Sequence, residues 1–158
     1  MPARKHHIRR RKPWKVFISY SHKDPTRCDE LCFHLTMLVR DKLIEIWYDG
    51  LIDPRTPWDK DVKDHLRAAD LVLLLVSARF LPSYYCYEVE MAEALRRHKL
   101  GKAVVLPVII GSCDWTTAPF AKFNAVPKHG HPIIGNRDRR DKGWTEVAQK
   151  VRAIVKPK

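Results

Sequence analysis

The segment from Leu71 to Val76 constrains the fold more than any other part of this chain, because all of its residues are apolar. A strand with one face in water alternates apolar and polar residues, whereas a parallel strand covered by helices on both faces is apolar throughout. The segment is far shorter than the roughly 20 residues that a membrane-spanning helix needs. We therefore predict that Leu71 to Val76 forms a central strand of a parallel sheet.

The sequence on both sides of this segment alternates between strand-like and helix-like patterns. Three more strands are predicted at 15–20, 43–48 and 103–110, and four helices at 28–39, 56–68, 85–98 and 144–155. Residues 111–140 are rich in Pro, Gly and Asp, so we expect an irregular segment there that is functional or partly mobile. The alternation predicts an α/β fold of flavodoxin-like type, a doubly wound parallel sheet with helices on both faces.

Basic residues are concentrated near the start of the chain. The 158 residues carry a net charge of +12, and seven of the 30 Lys and Arg residues precede Phe17. We divide the chain into a basic flexible tail at 1–14 and a single domain at 15–158. Trp14 is the only aromatic residue of the tail, so we do not expect the tail to bind nucleic acid.

Several classes of protein are excluded by what the sequence lacks. There is no signal region and no apolar segment that could span a membrane, so we expect a soluble, cytoplasmic protein without membrane contacts. The four cysteines have no zinc-ligand spacing, and we predict neither a metal site nor a disulfide framework. No GxGxxG, GxxxxGK[ST] or GxSxG motif is present, although Cys86 with a distant histidine remains open as a nucleophile.

The predicted topology indicates where a ligand binds. In a doubly wound sheet this is outside the carboxyl ends of the strands, where the strand order reverses. For the flavodoxin-like order we expect the loops 19–24 and 77–90, with 49–58 as a neighbouring wall. Glu88 and Glu90 lie in the first turns of the helix after the third strand. On an α-helix they differ by about 200° in direction, so only one of them can face the site.

Three blocks of the sequence carry a resemblance to a known family. They are KVFISYS at 15–21, IWYDGLIDPRTPW at 46–58 and LRAADLVLLLVSARFLPSYYCYEVEMAEAL at 66–95. In this order and spacing they resemble the Toll/interleukin-1 receptor (TIR) domain in its bacterial form. The segments 113–133 and 143–155 are similar to the carboxyl half of bacterial members, so the resemblance covers nearly all of 15–155.

The resemblance implies an enzyme that acts on NAD⁺. Active members of the family cleave the bond between nicotinamide and ribose, releasing ADP-ribose or a cyclic ADP-ribose isomer, and bacterial members act in immune, antiphage signalling. The resemblance further implies NAD⁺ as substrate, no cofactor, and activation by self-association into a homo-oligomer or filament. An upstream sensor or a downstream effector protein is an expected partner. The alternative is a non-enzymatic adaptor module that only recruits other TIR domains, as many animal relatives do.

The resemblance also implies a catalytic glutamate. In the family it opens the helix after the third strand, which favours Glu90, with Glu88 in reserve. Many members place this glutamate four residues after an aromatic residue, but Val89 stands four residues after Tyr85, so the choice stays open.

Other residues are expected around this glutamate. The substrate-binding residues implied by the resemblance are Phe17, Tyr20, Ser21, Asp49, Trp58, Ser77 and Tyr85. Phe17 and Trp58 are also open to a role in packing, and Asp49 to a role as a cap. The loop after the second strand lacks the family's usual glycine, and Arg55 there is a candidate partner for the pyrophosphate of NAD⁺ or for acids of a neighbouring subunit.

Overall fold

The computed structural model describes residues 12–51 and 58–156, and for Leu51, Trp58 and Asp59 it describes the backbone alone. Residues 1–11 of the predicted basic tail lie outside the described residues. So do positions 52–57, which include Arg55 and the predicted start of a helix at 56.

The described strands form one parallel sheet with the order β2-β1-β3-β4. They are β1 at Trp14–Ser19, β2 at Ile44–Trp47, β3 at Leu71–Val76 and β4 at Val104–Ile109. β1 pairs with β2 on one side and with β3 on the other, so the strand order reverses between β1 and β3. This arrangement confirms the predicted flavodoxin-like α/β fold, and each strand begins and ends within one residue of its predicted bounds.

The apolar run of β3 lies in the interior of the sheet. Each of its residues is 0% exposed, and Leu71 is paired with Val16 of β1 and with Val104 of β4. Both faces of β3 are therefore covered, which is why the sequence of this strand has no polar residue.

Val126 extends the sheet beyond β4 through a parallel bridge to Val108. Its amide donates a hydrogen bond to the carbonyl of Pro107 at 2.9 Å. The N and O atoms of one strand residue point to the same side, so Pro107 turns its missing N–H toward this edge. The pairing of β4 with β3 consequently loses no hydrogen bond to the proline.

Helices cover both faces of the sheet, as predicted. They are α1 at Pro25–His34, α2 at Thr36–Arg40, α3 at Trp58–Ala68, a π-helix at Tyr84–Met91, α4 at Ala92–Lys99 and α5 at Arg137–Val155. One apolar layer joins the sheet to α1, α2 and α5, and the other joins it to α3, the π-helix and α4. Among the helices described, none is both long and apolar enough to cross a membrane.

Two helices differ from their predicted bounds. The helix predicted at 28–39 is divided at Leu35, where α1 ends and α2 begins. The last helix begins at Arg137 rather than at 144, because the side chain of Asn136 caps it by accepting a hydrogen bond from the Arg139 amide at 2.9 Å. Its first turns, at 137–143, contain no apolar side chain, so apolar periodicity gives no signal for them.

Candidate active site

A cavity of about 360 Å³ lies at the carboxyl ends of β1 and β3, where the strand order reverses. Its lining includes five residues predicted for the site, Tyr20, Ser21, Asp49, Tyr85 and Glu90. The other described lining residues are His22, Lys23, Arg79, Pro82, Ser83 and Cys86. The volume falls within the range of about 300–1,000 Å³ that is typical of small-molecule sites.

Glu90 is turned into the protein, whereas Glu88 on the same helix is exposed. Glu90 is 6% exposed, and its Oε1 accepts a hydrogen bond from Ser19 Oγ at 3.1 Å. Ser19 is the last residue of β1 and is completely buried. The structure therefore brings Glu90, and not Glu88, to the carboxyl end of β1.

The π-helix is the element that gives Glu90 this direction. Its hydrogen bonds join residues i and i+5, so it has more residues per turn than an α-helix. Glu90 follows Tyr85 by five positions, one more than the spacing of four described above. The wider turn of the π-helix accommodates this extra residue. Ser83 caps the start of this helix, its hydroxyl accepting a hydrogen bond from the Cys86 amide at 3.3 Å. Such π-helical segments are rare and are frequently found at functional sites.

The surroundings of Glu90 disfavour its charged form. Burial raises the pKa of the Glu90 carboxyl to about 8, and the negative charge of Asp49 adds to this rise. Hydrogen bonds from Ser19 and Cys86 act in the opposite direction and are outweighed. A cation brought into the cavity would favour the ionised carboxylate. Glu90 is therefore suited to a positively charged ligand.

Cys86 lies beside Glu90 and is also buried. Burial, followed by the charge of Glu90, raises the pKa of the Cys86 thiol to about 12. Since the thiolate is the reactive form of cysteine, this argues against Cys86 as a nucleophile. In the described part of the chain, no three or more His, Cys, Asp or Glu side chains are grouped so that they could hold a metal ion.

Asp49 forms the wall of the cavity on the β2 side. Its Oδ2 contacts Nε2 of His22, and its negative charge acts on the phenol of Tyr20. Burial and the charge of Asp49 raise the pKa of Tyr20 above its ordinary value, so the phenol remains a hydrogen-bond donor. The loop after β1 thus holds Asp49 in place through two aromatic side chains.

Ser77 lies behind the cavity, where it connects the loops after β1 and β3. Its hydroxyl donates a hydrogen bond to Asp24 Oδ2 at 2.6 Å, and Nε of Arg79 donates to Asp24 Oδ1 at 2.6 Å. Ser77 and Asp24 are both buried. Ser77 was predicted to line the cavity, but Arg79 lines it instead. Ser77 positions this arginine through Asp24.

Phe17 lies in the apolar core, which differs from its predicted place in the site. It is 1% exposed and stacks on Trp47 of β2, with ring centroids 5.2 Å apart. Side chains alternate along a strand, so Phe17 shares a face with Ser19 but lies two residues farther from the carboxyl end of β1. The side chain of Trp58 lies outside the described residues, so its role stays a prediction.

Sequence reasoning did not single out Ser19, Asp24 or Arg79. Ser19 does leave a signal, because it is a polar residue on a buried face at the carboxyl end of a strand. Asp24 and Arg79 leave none, since they are 55 positions apart in the chain and meet only after folding.

Comparison with known proteins identifies the family. The model of the TIR domain family matches residues 16–141. A curated relative, the uncharacterized protein y4lF of Sinorhizobium fredii (strain NBRC 101917 / NGR234), is 45% identical over 137 residues, which cover 87% of this chain and 42% of that protein. The chain thus spans about two fifths of the length of the curated relative that it matches.

A solved structure shows the same fold at lower sequence identity. The TIR domains in the structure of the activated Roq1 resistosome directly recognizing the pathogen effector XopQ match with a TM-score of 0.54 and 21% identity. The match covers 86% of this chain and 84% of that one. With the family match over most of the strands and helices described above, this chain belongs to the TIR domain family.

Proposed function

We propose that this chain is an NAD⁺ glycohydrolase that cleaves the bond between nicotinamide and ribose. The observation that carries the proposal is the buried carboxyl of Glu90, hydrogen-bonded to Ser19 at the cavity where the strand order reverses. Membership of the TIR family, some of whose members have this activity, supports the same assignment.

The chemistry of NAD⁺ suits a site that has one buried carboxyl. The nicotinamide of NAD⁺ is cationic and leaves as a neutral molecule, so the reaction needs no general acid. The ribose carbon becomes oxocarbenium-like as the bond breaks, and a nearby carboxylate stabilises that positive charge. In this proposal the Glu90 carboxylate holds the ribose hydroxyls, and Ser19 orients the carboxylate.

The raised pKa of Glu90 fits this role. Burial keeps the carboxyl largely neutral until a cation enters, and the positive nicotinamide then favours loss of its proton. The full negative charge would form beside the reacting carbon, on a carboxyl that is only 6% exposed. An electrostatic interaction of this kind is stronger at low dielectric than at an exposed position.

We further propose that the chain acts in bacterial immune, antiphage signalling after self-association, with a sensor or effector protein as partner. TIR domains generally self-associate. The product is ADP-ribose if water attacks the oxocarbenium carbon, and a cyclic ADP-ribose isomer if a nucleophilic atom of the same dinucleotide does.

The test is NAD⁺ consumption by the purified chain at high concentration, with and without a clustering agent, and product identification by mass. Glu90→Gln keeps the shape of the side chain and removes its charge, so we expect turnover to fall by about 100-fold or more. Glu88→Gln is the matched control, because Glu88 is exposed on the same helix, and it should retain wild-type turnover.

Equal turnover of the wild type and Glu90→Gln would contradict the assignment of Glu90. Absence of turnover by the clustered wild type would favour the alternative function, an adaptor that only recruits other TIR domains.

A further inference from the structure

Arg79 lines the cavity and is held in a fixed direction by a buried acid. Its Nε donates to Oδ1 of Asp24 at 2.6 Å, while Oδ2 of the same carboxylate accepts from Ser77. Asp24 is 8% exposed, whereas about half of the Arg79 side chain is exposed, at 48%. The arginine is therefore anchored at its inner end and open at its outer end.

The anchor uses only one of the guanidinium donors. A guanidinium has five N–H donors, and the four on Nη1 and Nη2 form no hydrogen bond with residues 12–51 or 58–156. A planar pair of such donors matches two oxygens of a phosphate group. Arg79 thus presents a prearranged set of donors to an anion.

The charges of the cavity are separated along the sheet. Asp49 follows β2, and its charge acts on Glu90, which lies at the end of β1. Arg79 lies on the opposite side, next to Gly111, which follows β4. A Cβ added to Gly111 would be 3.6 Å from Nη2 of Arg79. Its charge also acts on Cys113, where it opposes the rise in thiol pKa that burial causes.

Lys23 adds a second positive charge to the lining. Within the described ranges it has no acidic partner at ion-pair distance. The cavity therefore has an acidic part over β2 and β1, formed by Asp49 and Glu90, and a basic contribution from Arg79 and Lys23. A ligand that complements this layout carries a cation next to the acids and an anion near the arginine.

We infer that Arg79 binds the pyrophosphate of the dinucleotide while its cationic nicotinamide ring lies next to Glu90 and Asp49. This inference rests on the proposed function and adds to it the residue that positions the substrate. Asp24 and Ser77 hold the guanidinium in the direction needed for binding. Arg79 sets where the scissile bond lies relative to Glu90, and it takes no part in breaking that bond.

The experiment measures binding separately from turnover. The affinity for ADP-ribose, which contains the pyrophosphate, is determined by titration calorimetry for the wild type, Arg79→Met and Arg79→Lys. Arg96→Gln is the matched control, because it removes one positive charge from an exposed arginine of α4 that is paired with Glu93 and is outside the cavity lining. Thermal unfolding of each variant establishes that it is folded.

We expect Arg79→Met to weaken ADP-ribose binding by about 10- to 100-fold, the loss typical of a charge-assisted hydrogen-bond pair. The ADP-ribose affinity of Arg79→Lys should lie between those of the wild type and Arg79→Met, since a lysine has the charge without the planar arrangement of donors. Arg96→Gln should bind as the wild type does. With NAD⁺, the loss should appear mainly in KM, because the contact is present in both the ground state and the transition state.

The outcomes separate this inference from the proposed function. Unchanged ADP-ribose affinity in Arg79→Met, or no affinity in the wild type, overturns the inference even if NAD⁺ is consumed. Weaker binding in Arg79→Met without any turnover by the wild type supports the inference and contradicts the proposed enzyme. If Arg79→Met does not fold, Arg79→Lys decides, because it retains a cation for Asp24, and equal affinity there overturns the inference.

Discussion

Glu90 is a single carboxyl whose packing changes its acidity. Burial raises its pKa to about 8, above the ordinary value of 4.5, and the charge of Asp49 contributes to the rise. Two measurable properties depend on this residue, the rate of the proposed reaction and the stability of the fold.

The first prediction concerns the rate. If the reaction requires the Glu90 carboxylate, kcat/KM for NAD⁺ should rise about tenfold per pH unit below the pKa and level off above about 8. Asp49→Asn removes a negative charge that raises this pKa, so the midpoint of the profile should move to lower pH. Asp138→Asn, on the exposed surface of α5, is the control and should leave the midpoint in place. A flat wild-type profile over the roughly 3 pH units from pH 6 to pH 9 would be inconsistent with the carboxylate requirement.

The second prediction concerns stability and does not depend on enzymatic activity. A carboxyl whose pKa is higher in the folded chain than in the unfolded chain binds its proton more tightly when folded. The stability due to this proton is fully present below the unfolded pKa and is lost as the pH rises through about 8. The free energy of unfolding of the wild type should therefore fall relative to Glu90→Gln, by up to about 1.4 kcal/mol per pH unit within that window.

Urea denaturation of the wild type and of Glu90→Gln measures this difference at pH 5 and pH 8, which are about 3 units apart and lie within the titration window. Glu88→Gln, which changes an exposed glutamate, is the control. A gap between the wild type and Glu90→Gln that is the same at both pH values would show that Glu90 is not buried in solution.

At the scale of elements, the π-helix connects the cap at Ser83 to the position of Glu90. Its start is fixed by the hydrogen bond from the Cys86 amide to Ser83 Oγ, and it continues into α4 without a loop. Loosening the cap should therefore affect the direction of Glu90 as well as stability. A cap at another helix should affect stability alone.

The third prediction compares two caps. Ser83→Ala and Asn136→Ala each remove a side-chain acceptor at a helix start, so each should lower the free energy of unfolding by about 0.5–2 kcal/mol. Only Ser83→Ala should also lower NAD⁺ turnover, because Asn136 caps α5 and Glu90 lies on the π-helix. Chemical denaturation and turnover are measured on the same preparations. Equal turnover in the two variants would argue that the cap does not position Glu90.

At the scale of the whole molecule, the chain is a TIR domain, and such domains generally self-associate. An activity that depends on association follows the concentration of the assembled form by mass action. The fourth prediction is that NAD⁺ turnover per chain increases with protein concentration. Sedimentation over the same concentrations reports the association state.

The Glu90→Gln variant offers a sharper version of this test. It retains the surfaces of the wild type, so adding it in excess to dilute wild type should increase turnover per wild-type chain. Turnover that is independent of concentration and of the added variant would show that single chains are fully active.

Several features of the fold were predictable from local sequence patterns. Continuous apolar character located β3, and the alternation of strands with amphipathic helices predicted a doubly wound parallel sheet. Because the carboxyl ends of parallel strands meet at one edge, the loops at 19–24 and 77–90 were expected to form the site, and they line the cavity. The polar start of α5 was not predicted, because a cap and an exposed turn leave no apolar period.

The sequence by itself determined the parallel sheet and the edge at which a cavity forms, since these depend on the hydrophobic period of the elements and on their alternation along the chain. Only the tertiary structure decided which side chains meet there. The extra residue before Glu90 is accommodated by a π-helix, Phe17 is covered by the core, and Asp24 meets Arg79 across 55 positions. Local periodicity specifies the face on which a side chain lies, whereas desolvation and long-range partners are properties of the packed molecule.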